Sequence, residues 1–374
     1  MQKFNKPKID WVNTLFLTLT PVAAIAFVAL HLKVDGFIWQ QWLLALGFYF
    51  ATGLSITAGY HRLFSHRAYK AHPVIESLFL FFGAASFQNS LLKWGADHRR
   101  HHTKCDQDED PYSIQKGFFY AHMGWICEDD GRDQDAEIQR WGKDLLKNPR
   151  VIFQDKHYLA IAIISGIILP TVLGGLLGSY LGGFALATWG RIVFVHHATF
   201  FINSLAHTWG KQTYGEDNSA KDSLLLAFLS YGEGHHNYHH HFQTDYRNGV
   251  RWFDFDPTKW LINTIHSMGL AHELKSVCEE DIIAARLKME HKRQLEAQLD
   301  PTWVETSQEL FDQLKDQLKN LKKLRQDYIR EKQNAKREFL IELKQNIQEE
   351  KRLLKKALRQ WQEHLTQGPA LLAA

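Results

Sequence analysis

The chemistry available to this chain is written in its histidines. The segment GEGHHNYHHHF, Gly232–Phe242, holds His235, His236, His239, His240 and His241 within seven residues. Neighbouring imidazoles repel once protonated, so crowding favours neutral rings, and neutral imidazole is the commonest metal ligand near neutral pH. The run is internal and broken by Asn237 and Tyr238, unlike a tag. Three more segments carry the same signal: HRLFSH with His61 and His66, DHRRHH with His98, His101 and His102, and FFINSLAHTWG with Asn203 and His207.

Spacing sharpens the expectation. In H-x-x-H-H the rings sit at i, i+3 and i+4 on one helix face, so all three can turn toward one centre. The pattern occurs at His98/His101/His102 and at His236/His239/His240. Nine imidazoles exceed the needs of one ion and suit two, with four or five ligands each. Asn203 and His207, also i and i+4, place an amide where it can hold a metal-bound water. An all-nitrogen shell fits Zn, Cu, Fe or Ni rather than Mg or Ca. No thiolate or carboxylate box accompanies the histidines, which argues against a zinc finger or a carboxylate-bridged site.

These clusters must be held by elements that cross a membrane. Val12–Leu32, Phe37–Thr57, Tyr158–Gly178 and Leu181–Phe201 are each about twenty mostly apolar residues, enough for a helix to cross roughly 30 Å of hydrocarbon. The first is long and lacks a small-residue cleavage site, so it reads as a span rather than a cleavable signal. Lys and Arg crowd the N-terminus, the loop from Arg62 to Lys156 and the tail, which places all three in the cytoplasm. Every histidine cluster then falls on one side of the membrane, near its surface. Cys105, Cys127 and Cys278 lie on that reducing side and are expected as free thiols. A net charge of +3 requires no nucleic-acid partner. The apolar run Pro73–Phe87 is too short to span and reads as interfacial or re-entrant.

GYHRLFSHRAYKA, DHRRHHTKCDQDEDPYS, NSLAH and GEGHHNYHHHF resemble the histidine boxes of the membrane-bound fatty acyl desaturases, close to the bacterial acyl-CoA delta-9 type. FDFDPTKW, Phe253–Trp260, resembles the stretch after the last box, and the likeness runs from about Trp11 to Glu273. It implies an all-α integral membrane fold with four transmembrane helices and a cytoplasmic helical cap, in the bacterial inner membrane. It also implies two iron ions held by His61, His66, His98, His101, His102, His207, His236, His239 and His240, with Asn203 on a water. Gln88, Asn89 and Trp94 fall where the acyl chain and its head group enter. His235 and His241 are not required by the family pattern. His196 and His197 read as a polar helix end, His31, His72, His122 and His157 as structural, and Arg191 as facing the bundle interior or snorkelling, paired with a carbonyl or carboxylate.

The implied reaction is O2-dependent formation of a cis double bond, delta-9 by resemblance, in a saturated acyl thioester. An unactivated methylene is too weak an acid for any side-chain base, so the metal must carry the hard step. Acyl-CoA is the implied carrier. SIQKGFF offers only Lys116 for its phosphates, which leaves acyl carrier protein and phospholipid open. No haem motif or Cys-rich cluster is present, so electrons come from a separate ferredoxin or small haem cytochrome with its reductase. Two rival readings are a lipid or alkane hydroxylase with similar boxes and a non-enzymatic metal-binding membrane protein.

Three segments are expected: a desaturase domain over 1–276, a linker helix over 277–300 and a helical tail over 301–374. The tail has no Gly or Pro between Pro301 and Gly368, and Leu, Lys, Gln and Glu dominate it. Leu321, Leu324 and Tyr328 form one heptad seam; Leu340, Leu343, Ile347, Leu354 and Trp361 form another. The register shift predicts a helical hairpin or interrupted coiled coil, closed by Gly368–Pro369, that could pair with a second copy or a partner helix.

Overall fold

The helix bearing the first box does not end with its apolar stretch at Thr57. Trp39–Leu54 is α-helical and runs on into a π-helix, Ser55–Ser65, in the computed structural model of the chain, which describes residues 8–296, 301–332 and 337–373. The winding matters because His61 and His66 are five residues apart. An α-helix, at 100° per residue, would point them about 140° from one another. The i→i+5 winding of a π-helix brings the fifth residue back over the first, and His66 N–H donates to the His61 carbonyl (3.0 Å). All eleven residues of the π stretch are buried.

Glycine lets a second helix lie hard against it. A β-carbon on Gly59 would come within 2.6 Å of the Phe79 side chain, and one on Gly83 within 2.4 Å of the Tyr60 ring. The partner is Pro73–Ala84, whose Ile75, Phe79, Leu80 and Gly83 are buried. The short apolar run thus forms a 12-residue helix packed on the end of the second span.

Among the described residues, three helices are long and apolar enough to cross a membrane: Trp11–Val34, Trp39–Ser65 and Tyr158–Leu176. Their outward faces are greasy; Ile25 is 73% and Leu176 is 75% exposed. The segment expected as a fourth span lies in continuous helix from Tyr180 to Ser204, but Arg191, His196 and His197 interrupt its apolar character. Arg191 is buried and donates to the carbonyls of Ala187 (3.0 Å), Gly166 (2.8 Å) and Ala85. Carbonyl pairing inside the bundle, rather than lipid exposure, accounts for the charge. The described strands are two-residue pairs, Lys8–Ile9 with Glu128–Asp129 and Lys70–Ala71 with Ala271–His272. The fold is mostly helical.

Two compact units divide the chain, one comprising residues to Lys211 with Glu216–Ser276, the other Gln212–Gly215 with residues from Val277 onward. In the second unit Pro301–Glu331 and Arg337–Ala373 pack antiparallel: Trp303 stacks on His364 (centroids 4.2 Å apart) while Lys344 covers the Tyr328 ring. This is the expected hairpin. Helix Glu279–Glu296, in the stretch read as a linker, joins the same core, where Leu287 meets Leu314, Leu318, Leu354 and Trp361. Gly368–Pro369 does not close the last helix, which continues to Ala373. A proline near a helix end removes only one of its backbone bonds.

Trp361 is fully buried and its Nε1 donates to Glu290 (2.8 Å). Trp361→Ala is expected to destabilise this unit by about 3–5 kcal/mol. Trp361→Phe, keeping most of the packing, should cost far less. Proteolysis of the 277–374 region across a urea series reads both, and equal losses would show that the hydrogen bond, not the packing, dominates.

Candidate metal centre

The nine box histidines converge, but not as their spacing alone suggests. His61, His66, His98, His102 and His239 form one group and His101, His207, His236 and His240 a second, with the ligand atoms of each group all within 4.8 Å of one another. Each H-x-x-H-H helix therefore serves both groups. In Leu91–Lys104 the i, i+4 pair His98/His102 turns to the first group and His101 to the second; in His236–His241 the pair His236/His240 serves the second and His239 the first. Consecutive residues point 100° apart on a helix, so His101 and His102 cannot share a centre as comfortably as an i, i+4 pair.

Nε2 is the converging atom. His61 faces His239 at 2.9 Å, His66 faces His98 at 2.8 Å, His102 faces His239 at 3.0 Å and His207 faces His236 at 3.0 Å, each Nε2 to Nε2. His101 Nε2 and His240 Nε2 are buried with no hydrogen-bond partner. A ring nitrogen has one in-plane position, an N–H or a lone pair, so His239 Nε2 cannot satisfy both His61 and His102 by hydrogen bonds. Two nitrogens bound at about 2.0–2.1 Å and at right angles to a metal would lie about 2.9 Å apart. The spacing fits a ligand shell, and an all-imidazole donor set suits iron, as it does zinc, copper or nickel. Burial, then the neighbouring imidazoles, hold His66, His98, His102, His236, His239 and His240 well below the usual histidine range. They stay neutral, as ligands must.

Outer partners, absent from the sequence reading, orient the rings. His61 Nδ1 donates to Glu233 (3.0 Å) and His101 Nδ1 to Asp110 (2.9 Å). His207 Nδ1 donates to Ser219 Oγ (2.7 Å), which donates to Asp106 (2.6 Å). Each partner fixes which nitrogen keeps its proton and leaves Nε2 to coordinate. Arg62, buried between Glu233 (2.9 Å) and Asp256 (3.0 Å), holds the first of them. Burial pushes the Glu233 carboxyl up, but His61 and Arg62 outweigh it and the net shift is downward. The carboxylates that the sequence reading set aside are thus present one layer out. Their signals, Glu233 in GEGHHNYHHHF and Asp106 and Asp110 in DHRRHHTKCDQDEDPYS, lie within the box segments but carry no ligand spacing.

A cavity of about 540 Å3 runs beside the histidines, with His61, His98, His101 and His236 in its wall. Gln88, Asn89, Trp94 and Asn203 line it too. Trp94 stacks on His98 (centroids 4.8 Å apart), Gln88 Nε2 donates to Thr199 Oγ1 (3.1 Å), and the Asn89 N–H to the Tyr158 hydroxyl (3.0 Å). His235 and His241 belong to neither group, and His241 is exposed. His196 is buried against the Ser86 carbonyl (2.7 Å), His197 pairs with His122 (3.0 Å), and His31 with Asp35 (2.9 Å). The three cysteines are free, and Cys105 lies beside His207 and Asp106.

Comparison with known proteins meets this geometry. The fatty acid desaturase family model matches residues 38–269. The chain belongs to the fatty acid desaturase family. It is 42% identical to a "Probable acyl-CoA desaturase" of Schizosaccharomyces pombe over 73% of its own length and 56% of the relative's. Identity is 35% to "Acyl-CoA desaturase 1" of Saccharomyces cerevisiae, over 76% of this chain and 55% of that one. It is 34% to "sn-1 stearoyl-lipid 9-desaturase" of Anabaena variabilis, over 72% and 95%. The chain thus spans a little over half the length of the two yeast relatives. These names give no support to the hydroxylase or metal-carrier readings.

For this family member the outer partners make a graded prediction. Glu233→Gln and Asp110→Asn should each weaken metal retention about 10–100-fold, the usual range for partners of ligating histidines. His239→Ala should empty the centre, while His235→Ala and His241→Ala retain metal. Metal analysis of each purified variant reads the order; a metal-loaded His239→Ala with an empty His235→Ala would reverse the frame of the last box.

Proposed function

We propose that the chain is an acyl desaturase that forms a cis double bond, at delta-9, in a saturated acyl thioester. The observation that carries the reading is the division of nine imidazoles into groups of five and four along one wall of a cavity large enough for an acyl chain. The nine histidines would hold two irons, with Asn203 on a bound water. Bound iron supplies the power to take hydrogen from an unactivated methylene. The acyl chain, O2, two electrons and two protons give a monoene and two waters.

The chain's own residues do the positioning. Trp94 and Gln88 would fix the acyl chain against the metal-facing histidines, since selectivity between equivalent methylenes depends on which pair is held there. Buried walls exclude water from the reacting carbons. Four spans, counting the Tyr180–Ser204 helix with its internally paired Arg191, would place the boxes as a cap on the cytoplasmic face. Acyl-CoA is the carrier the relatives' names favour, and a separate ferredoxin or small haem cytochrome would supply electrons.

Double-bond localisation by mass spectrometry of lipids from cells expressing the chain tests this. New delta-9 monoenes are expected, abolished by His98→Ala. Oxygenated chains without monoenes would instead indicate a hydroxylase. Asn203→Ala should cut turnover about 10–100-fold with iron retained; loss of the iron would assign Asn203 to the fold. Truncation after Ser276 keeps every histidine and should keep activity given excess electron donor. Inactivity at full iron content would assign the second unit to substrate or donor binding.

A further inference from the structure

The cavity extends past the histidines to a tyrosine that nothing above uses. Gly53 lies eight residues, about two turns, before His61 on the same continuous helix. Gly53 and Tyr231 both line the cavity there. The Tyr231 ring fills the hollow that the missing side chain leaves: a β-carbon on Gly53 would come within 2.0 Å of Tyr231 Cζ. Its hydroxyl donates to the Tyr49 carbonyl (3.0 Å), and the two rings lie 4.8 Å apart. The Tyr49 hydroxyl returns the contact to the Leu229 carbonyl (2.9 Å), and Thr258 Oγ1 donates to the Tyr231 carbonyl (2.8 Å).

The backbone is held as firmly as the ring. Tyr231 has φ +58°, a left-handed conformation that bulky residues seldom adopt and that persists only when the surroundings enforce it. The polar part of the cavity wall, Asp10, Asn13, Glu128 and Asp129, gathers where the first span begins, whereas Gly53 lies part-way along the second. A chain entering from the polar end with its reacting carbons beside His98 and His236 would have its methyl end directed at Tyr231.

We propose that Tyr231 is the floor of the acyl cavity and sets the longest chain it admits. The inference rests on reading the cavity as an acyl site. Each methylene buried strengthens binding roughly fourfold. The gain should continue until the methyl end meets the ring and then stop, giving a break in affinity against chain length.

The test is binding of saturated acyl-CoAs, lengthened in two-carbon steps, to the full-length metal-loaded protein without oxygen. Tyr231→Gly suits the test because glycine adopts positive φ without strain. Its break should move at least two carbons longer, and chains beyond the original break should bind at least about tenfold more tightly. Tyr231→Phe keeps the ring and should keep the break. Tyr231→Asn, which also tolerates that backbone, replaces the glycine variant if the latter no longer binds short chains. An unmoved break in the smaller variants, or an equal move in Tyr231→Phe, would overturn the proposal. Subsequent oxygen and reduced donor separate the two readings: a shifted break with no monoene in any protein would sink desaturation and leave the role of Tyr231 standing.

Discussion

Everything in the membrane unit answers to one constraint: nine imidazoles must be packed together with their ring nitrogens satisfied. Histidines packed with ring centroids 4.3–5 Å apart, as His102 is with His240 and His61 with His66, would repel strongly if protonated. Burial and the neighbouring rings hold His66, His98, His102, His236, His239 and His240 well below the usual histidine range, and a metal shell would satisfy the ring nitrogens that face one another. The same burial demands that the remaining ring nitrogens be directed. Glu233, Asp110 and the Ser219–Asp106 pair do this for three of the nine, and Arg62 balances the charge that Glu233 brings inside. Removing a partner from such a network leaves another buried polar group unpaired, which costs more than the lost contact alone.

The backbone departs from regularity where this centre requires it. The π stretch Ser55–Ser65 brings His61 and His66 to one side, and the two glycine notches at Gly59 and Gly83 let a second helix support that stretch from behind. Phe87 and Asn89, both at positive φ, turn the chain along the cavity wall between that support helix and the helix of His98. Irregular helix and strained turn thus lie where side chains are aimed, as expected when function rather than stability sets the geometry.

Much of this was legible in the sequence. Clustering and the resemblance to known histidine boxes pointed to the nine histidines that converge, and apolar lengths located Trp11–Val34, the second span and Tyr158–Leu176. Other features were out of reach because spacing was read on an α-helix. On that template HRLFSH has no shared face, and H-x-x-H-H looks like a single centre. In the structure π winding unites the first pair, while each H-x-x-H-H box is split between two groups. Glu233 and Ser219 act through contacts with residues far away in the chain, which periodicity does not encode. Helix Glu279–Glu296 looked like a linker because its apolar seam is thin; Leu287 and the stacking of His291 on Phe311 become evident only once the hairpin is beside it.

Imidazole nitrogen alone is expected to supply the protein's ligands in both groups, with Cys105 and the nearby carboxylates held one layer out. X-ray absorption at the iron edge of the purified, metal-loaded protein tests it most directly. A nitrogen or oxygen shell near 2.1 Å with the outer scattering of imidazole rings, averaging four to five rings per iron, is the predicted result. A sulfur neighbour near 2.3 Å, or fewer than three imidazoles per iron, would contradict it.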